Sequence, residues 1–431
     1  MKKVFVIGLA CMLTGSAKAQ LFDRIKNKVN QKVNDAVDKS IDNMGKKKKG
    51  STDTSNGSGS NGNTGTSSSG DNGTTAIPTA AAASTDITSY SKFDFVPGDK
   101  IIVQEDFSQD AVGDFPAQWN TRSGAEVVTV SNRPGKWLSM KQDGSFYPEY
   151  INANFPDNFT LQMDVMATDG IASIAELTIG LLQAKDADAR FDMGRAESSS
   201  SRMANFKLGL CPKSSGDGQI YYSSNLIGSQ NKSDLPEFNV PRKNFVTVSI
   251  WRQKQRVRVY LDSNKTLDLP RALDAGAMMN ALVFNAYAPD FDKEGGAFFV
   301  SNIRLAVGAP DTRNKLITEG KFTTHGILFD VNSDKIQAGS YGSLQDIANV
   351  LKENASVRVK IIGHTDADGD DKLNLDLSKG RADAVKEALT RTFGIDAARM
   401  ETDGKGKTQP IDNNTTPAGK ANNRRVEFIK L

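Results

Sequence analysis

Apolar residues change their spacing along this chain in three places. Between residues 21 and 44, Phe22, Ile25, Val29, Val33, Ala36, Val37, Ile41 and Met44 recur at intervals of three and four, which predicts one amphipathic helix within a segment 20–49. Gly45 can end it, and Lys46 to Lys49 complement the negative end of its dipole. Such a helix is roughly 36 Å long at about 1.5 Å per residue. It has no neighbouring helix in sequence, so its stripe must meet a second copy, another protein or a membrane surface. Coiled-coil self-association, contact with a membrane and a solvated polar helix all fit. Upstream, Met1-Lys2-Lys3, the apolar run Val4 to Leu13 and the small residues of Ala17-Lys18-Ala19 predict a secretory signal peptide over 1–19, cut before Gln20. Cys11 offers a rival reading, an acylated lipoprotein cysteine, although Gly8 stands where a lipobox expects leucine. After the helix, Gly, Ser, Thr and Asn dominate. They predict a disordered linker over 50–89, with an r.m.s. span of roughly 30–36 Å.

From 90 to 312 the pattern shortens to runs of alternating or apolar residues: Lys100–Val103, Glu126–Val130, Phe159–Val165, Leu177–Leu181, Phe206–Leu210, Val246–Trp251, Arg256–Leu261, Leu282–Tyr287 and Phe298–Leu305. Val246, Val248 and Ile250 alternate with polar residues, as do Val257, Val259 and Leu261 after a polar break at Gln253-Lys254-Gln255, which predicts a hairpin with one buried face. Many such runs predict an all-β sandwich. Glu105-Asp106-Phe107 followed by Phe115-Pro116-Ala117-Gln118-Trp119 resembles the start of a concanavalin A-like jelly roll. An outer-membrane barrel is the competing architecture, but it needs longer strands and aromatic girdles, and aromatic residues are 7% of the chain.

From 318 to 431 the pattern becomes α/β. It predicts a strand at Ile327-Leu328-Phe329, a helix marked by Leu344, Ile347, Ala348 and Leu351, and a strand over Val357–Ile362. A second helix is marked by Ala382, Val385 and Leu389, and a last strand by Val426-Glu427-Phe428-Ile429. The result is a β-α-β-α-β domain after the sandwich.

Composition narrows the function. A net charge of +3 with 24% charged residues argues against a dedicated nucleic-acid binder. No run reaches the roughly 18 apolar residues of a membrane-spanning helix. With the signal removed, Cys211 is the single cysteine, so it forms no internal disulfide and reads as a small buried strand residue. His325 and His364 stand far apart with no cysteine nearby, which leaves no zinc set. His325 reads as a strand-edge residue and His364 as one that orients a strand end.

The densest chemistry lies near the end of the chain. Gly363-His364-Thr365-Asp366 with Gly369 precedes Asn374, Leu377, Ser378, Arg381 and Ala382. Gly404, Gly406 and Pro410 follow, then Gly419, Ala421 and Asn423-Arg424-Arg425-Val426. Together these residues resemble the OmpA-like peptidoglycan-binding domain. Lys420 stands where that family often has arginine. The resemblance implies that the partner is peptidoglycan, through the diaminopimelate of its stem peptide, and that no cofactor, metal or catalysis is involved. Asp366 would accept from the ligand's ammonium, and Arg381 would fork onto its carboxylate. Ser378 is placed to cap Arg381's helix, with free N–H groups facing an anion. Asn374, Asn332 and Thr365 would line or order the groove. Arg424 and Arg425 fit either groove support or a structural place on the last strand.

Asp366-Ala367-Asp368-Gly369-Asp370 imitates a calcium loop, but Asp371 and Leu377 occupy the places that need Gly and Glu. Glu105, Asp106, Asp164, Glu176 and Asp262 are candidate acids for a glycan hydrolase in the sandwich, yet no short acidic array marks one strand. Trp119, Trp137, Trp251 and Tyr221-Tyr222 could stack sugars or pack a core. The expectation is a non-enzymatic, outer membrane-associated, periplasm-facing anchor of the cell envelope whose sandwich contacts glycan or protein. The alternatives are a peptidoglycan-localised hydrolase and a porin-like barrel.

Overall fold

The structure, a computed structural model, describes residues 93–168, 175–196, 205–212, 218–239, 243–290, 294–308 and 311–431. The signal peptide, Cys11, the amphipathic helix and the linker lie outside the described residues. Elements are numbered in chain order: β1 (Lys100–Glu105), β2 (Trp119–Thr121), β3 (Ala125–Val130), β4 (Arg133–Met140), β5 (Gly144–Pro148), β6 (Asn158–Ala167), β7 (Glu176–Leu182), α1 (Ala187–Phe191), β8 (Asn205–Cys211), β9 (Gln219–Ser224), β10 (Gly228–Ser233), β11 (Phe245–Gln253), β12 (Arg256–Leu261), β13 (Asn264–Leu269), β14 (Ala281–Tyr287) and β15 (Phe298–Val307). They form two antiparallel sheets, ordered β13-β12-β11-β6-β15-β4-β3 and β10-β9-β8-β7-β14-β5-β2. β15 divides its far edge: Phe298–Val300 pair with β4, and Ile303–Val307 pair with β1. The change of partner falls at a bulge where Asn302 takes a φ of 50°.

The alternation read over β11 and β12 sets the core. Val246, Val248, Ile250, Val257, Val259 and Leu261 all point into one apolar cluster with Leu177, Ile179, Phe206, Leu208 and Phe284 from the other sheet. The hairpin between them closes at Gln253↔Arg256, with Lys254 at a φ of 55°. Trp119 stacks on Phe284 in this core, and Cys211 is a buried strand residue. The pattern missed β2, β4, β5, β9, β10 and β13. β10 is Gly-Ser-Gln-Asn-Lys-Ser and is almost wholly exposed, so backbone pairing with β9 holds it and no apolar alternation marks it.

The following segment holds β16 (Lys321–Thr324), α2 (Tyr341–Glu353), β17 (Val359–Gly363), α3 (Asp371–Arg391), β18 (Met400–Gly404), α4 (Pro417–Asn423) and β19 (Val426–Lys430), with sheet order β16-β19-β17-β18. This corrects the expected β-α-β-α-β order in two ways. Ile327-Leu328-Phe329 is not a strand: Phe329 makes only an isolated bridge to Ile336, and the first strand is β16, six residues earlier at its start. β18 and α4 are additional. β18 reads Met-Glu-Thr-Asp-Gly and pairs in parallel with β17, so its polar face hid it. Leu344, Ile347, Ala348 and Leu351 of α2 and Ala382, Val385 and Leu389 of α3 bury against Val359, Ile361 and Phe428 in a second core.

The two layers interlock. Phe93 and Phe95 pack on Trp251 and Tyr260, on the face of the first sheet away from its core. On the other side of this strap, a Cβ on Gly342 of α2 would collide with the Phe95 carbonyl, so glycine permits the close approach. Ile101 and Ala306 of the sandwich meet Ala421 of α4. The Asn422 amide then treats β1 as a partner strand would. Its Oδ1 accepts from Ile101 N at 2.9 Å, and its Nδ2 donates to Ile101 O at 2.9 Å. Arg304 Nη2 donates to His325 O at 2.7 Å, and His325 Nε2 donates to the Asn422 carbonyl at 2.9 Å. His325 is therefore a buried junction residue just past β16, which corrects its reading as a strand edge. Burial, reinforced by Arg304, lowers its imidazole from the ordinary 6.5 to about 4.

Asn422→Ala strands a buried N–H and C=O of Ile101 and is expected to cost about 2–3 kcal/mol in urea unfolding. It should also raise amide exchange at Ile101 above that of the β11–β12 hairpin. His325 is neutral when folded but takes a proton when unfolded between pH 6.5 and about 4. Its contribution is complete above 6.5 and is lost as pH falls through that window. Between pH 7 and pH 5 the loss is about 2 kcal/mol. Unfolding wild type and His325→Gln side by side at both pH values checks this. Glu105, Asp164 and Asp346, whose pKa values are raised, act oppositely but equally in both proteins.

Candidate functional site

β17 delivers its chain into a loop that turns back as α3. The crossing is tight because a Cβ on Gly363 would strike the Ser378 carbonyl. The helix begins at Asp370, whose carboxylate accepts from Lys372 N at 2.8 Å and Leu373 N at 3.1 Å. That corrects the assignment of Ser378 as the cap. Ser378 is buried inside α3, where its Oγ donates to Leu375 O at 2.8 Å and accepts from Gly406 N at 2.9 Å. Two of the free N–H groups of the helix, those of Lys372 and Leu373, are therefore served by Asp370 rather than held open for an anion.

The other expected residues order the same loop. Asn374 is buried, and its Nδ2 donates to Asp368 O at 2.7 Å. Thr365 is buried, donating from Oγ1 to Asp366 O at 2.9 Å and from its backbone N–H to Gly406 O at 3.0 Å. Lys420 reaches Asp368 at 2.8 Å, and Asn414 Oδ1 accepts from Ala367 N at 3.0 Å. Asn332 is exposed at a φ of 52°, one residue before Ser333.

Asp366 and Arg381 are electrostatic neighbours without forming an ion pair. Arg381 Nε donates to Ser333 O at 3.0 Å, and its guanidinium lies over the Phe329 ring at 4.9 Å. Neither of its terminal nitrogens meets a carboxylate among the described residues. Burial lowers its pKa, nearby Arg424 lowers it further, and Asp366 and Asp334 oppose both. Asp366 is 13% exposed and is already paired: Arg424 Nη1 donates to its Oδ2 at 2.6 Å. Arg424 and Arg425, left open between groove and strand, divide. Arg425 turns inward to Glu427 at 2.8 Å. Burial alone would raise the Glu427 carboxyl, but His364, Lys321 and Arg425 outweigh it and hold it well below the usual range. His364 Nε2 stands 3.6 Å from Glu427, beneath the strand end.

Sequence reasoning missed Phe329 as the platform under Arg381, Ser333 as its backbone acceptor and Arg424 as the partner of Asp366. Only Arg424 carried a signal, as part of the C-terminal motif. A separate cleft of about 620 Å³ opens at the junction, lined by Lys100, Lys315, Lys321 and Asp412 among others. Two of its lysines are paired, Lys315 with Asp99 and Lys321 with Glu427. Among the described residues no group of three or more His, Cys, Asp or Glu side chains could hold a metal ion. Asp370→Ala is expected to cost about 1 kcal/mol by loss of the cap, read as a lowered urea midpoint with the β11–β12 hairpin exchange unchanged.

The OmpA family model matches residues 328–424. The "Probable lipoprotein YiaD" of Escherichia coli is 44% identical over 104 residues, which are 24% of this chain and 47% of that protein. "Outer membrane porin F" of Pseudomonas aeruginosa is 36% identical over 101 residues, 23% of this chain and 29% of that one. The chain thus spans less than half the length of either relative. Among solved structures, the peptidoglycan-associated lipoprotein from Burkholderia pseudomallei is 30% identical and matches with a TM-score of 0.24, covering 28% of this chain and 98% of that one. Residues 328–424 of this chain are an OmpA family domain.

Proposed function

We propose that this protein is a non-enzymatic anchor of the Gram-negative cell envelope, holding peptidoglycan through Asp366 and Arg381. In this reading the chain is divided into a signal peptide (1–19), an amphipathic helix (20–49), a linker (50–89), a concanavalin A-like sandwich (90–312) and a peptidoglycan-binding domain (318–431). The ligand is the diaminopimelate of a stem peptide, which offers an ammonium and a carboxylate on one carbon. The observation that carries the reading is the Arg381 guanidinium, seated on Phe329, fixed by Ser333 O and with both terminal nitrogens turned to no acid. Such a fork suits a carboxylate. Asp366 beside it supplies the opposite charge, Asn374 and Thr365 hold the loop that carries it, and Asn332 borders the groove. The sandwich, on the periplasmic side of the outer membrane, contacts glycan or protein.

The buried acids of the sandwich support anchoring over hydrolysis, because protein donors occupy them. Asp164 accepts from Thr247 Oγ1 and Asn302 Nδ2, both at 2.7 Å. Glu105 accepts from Phe107 N at 3.0 Å and from Tyr150 Oη at 2.8 Å. Glu176 accepts from Ala196 N at 2.8 Å.

Co-sedimentation of the full chain with purified sacculi tests the proposal. Wild type is expected to pellet, Asp366→Ala and Arg381→Ala to remain largely in the supernatant, and Arg381→Lys to lose about tenfold in affinity with the bidentate geometry. Pelleting that neither alanine variant reduces would sink it.

A further inference from the structure

Two strand edges open toward the junction. β1 is closed there by Asn422, which takes both backbone groups of Ile101. The other edge belongs to β16. Gly320 O accepts from Lys430 N at 2.9 Å, and the register continues as Lys321↔Ile429, Phe322↔Phe428 and Thr323↔Glu427. Gly320, Phe322 and Thr324 therefore direct their backbone groups to β19, while those of Lys321, Thr323 and His325 turn outward. The sandwich claims the last of these, because Arg304 Nη2 donates to His325 O at 2.7 Å. The outward N–H and C=O groups of Lys321 and Thr323 meet no partner among the described residues. Both residues line the junction cleft of about 620 Å³.

The hydrogen-bonding capacity of this cleft is lopsided. Its acids are already served. Asp99 is held by Lys315 at 2.6 Å, and Glu319 accepts from Asn314 Nδ2 at 3.0 Å. Asp412 accepts from Asn422 Nδ2 and from Asn413 N, both at 2.7 Å. The lysines keep open donors. The Lys100 ammonium makes no hydrogen bond or ion pair among the described residues and acts on Asp412 only through space. Lys321 reaches Glu427 at 2.9 Å, but Arg425 shares that carboxylate, and an ammonium has three donors to place. Ile411, 55% exposed, adds an apolar rim.

We propose that the outer edge of β16 is a docking site for an extended, acidic segment of another protein, which joins the sheet β16-β19-β17-β18 as an additional strand. N–H and C=O groups that recur at every second residue match a peptide backbone, which a sugar or a lipid headgroup does not reproduce. An antiparallel segment exchanges both bonds with each of Lys321 and Thr323. Cross-strand pairing then sets its side chains: β-branched opposite Thr323 and, two places later, acidic opposite Lys321. A further carboxylate meets Lys100. Arg304 stops the ladder at one end, and Gly320, at a φ of 79°, turns the chain away at the other. A cleft of this volume admits one short strand and no folded neighbour. The site needs both layers, since the α/β layer gives the edge and the sandwich gives Lys100 and Arg304. It is separate from the groove of Asp366 and Arg381 and does not rest on the anchoring role.

The experiment selects phage-displayed random octapeptides on the full chain. Enriched peptides are expected to carry Asp or Glu two places after Thr, Val or Ile. Synthetic versions, N-methylated at alternate positions, are then titrated by fluorescence anisotropy. Methylating the N–H groups that face β16 is expected to weaken binding about tenfold, and methylating the other set to change it by less than about threefold. Thr323→Pro removes an outward N–H at an edge, where proline is tolerated, and is expected to lose about tenfold; Lys100→Gln is expected to lose about threefold. Urea midpoints confirm that both variants are folded. Absence of enrichment, or equal loss from both methylated sets, overturns the proposal. Binding that both folded variants leave unchanged also overturns it, because the peptides then sit elsewhere. A lower sedimentation coefficient of the peptide-free chain in Thr323→Pro overturns it too, because a second copy then holds the edge.

Discussion

One side-chain amide joins the two layers of this molecule. Asn422, near the end of the chain, gives Ile101 the donor and acceptor that a neighbouring strand would give, and its own carbonyl is held by His325. Buried backbone groups must be paired, and at this edge no further strand of the sandwich does it among the described residues. The α/β layer supplies what is missing, so the contact is part of the hydrogen bonding of β1 and not an addition to it. The apolar Ile101–Ala306–Ala421 cluster and the Phe93–Phe95 strap then exclude water around that bond, where an amide pair is worth most.

The same junction reaches the candidate site through charge. Arg304 is buried in the sandwich face and has no carboxylate partner among the described residues. It is tolerated because it donates to His325 O and because the histidine beside it stays neutral. Its positive field extends to Arg424, the residue that holds Asp366. The sandwich is therefore an electrostatic neighbour of the residues around Asp366.

The fold was legible wherever burial imposed a period. The hairpin of β11 and β12 and the apolar faces of α2 and α3 are all readable as alternation or as spacings of three and four. The polar strands β10 and β18 were not, because their pairing is made by backbone groups that leave no mark on composition. Ile327-Leu328-Phe329 misled for the opposite reason: Ile327 belongs to the core without needing a strand to put it there. At the site, Asp366, Arg381, Asn374 and Thr365 stood out because the resemblance sets their spacing. What each one touches did not. A serine inside a helix and an aspartate before one look alike as caps until the helix start is seen, and Asp370, not Ser378, proved to be the cap. Arg424 could not be separated from Arg425 by sequence, since neighbouring residues on an extended segment turn to opposite sides and only the fold shows which side holds the acid.

The Asn422–Ile101 bond also dictates an order of events during synthesis. Its partners are 321 positions apart, but β1 first gains its strand partner when β15 ends at Val307, and a ribosome adding about 5–20 residues per second needs roughly 6–23 s to cover the remaining stretch from 307 to 422. Throughout that stretch, β1 carries the Ile101 N–H and C=O that Asn422 will later pair. Open edges of this kind recruit other chains, so the newborn protein passes through a vulnerable interval that ends only when residue 422 has emerged.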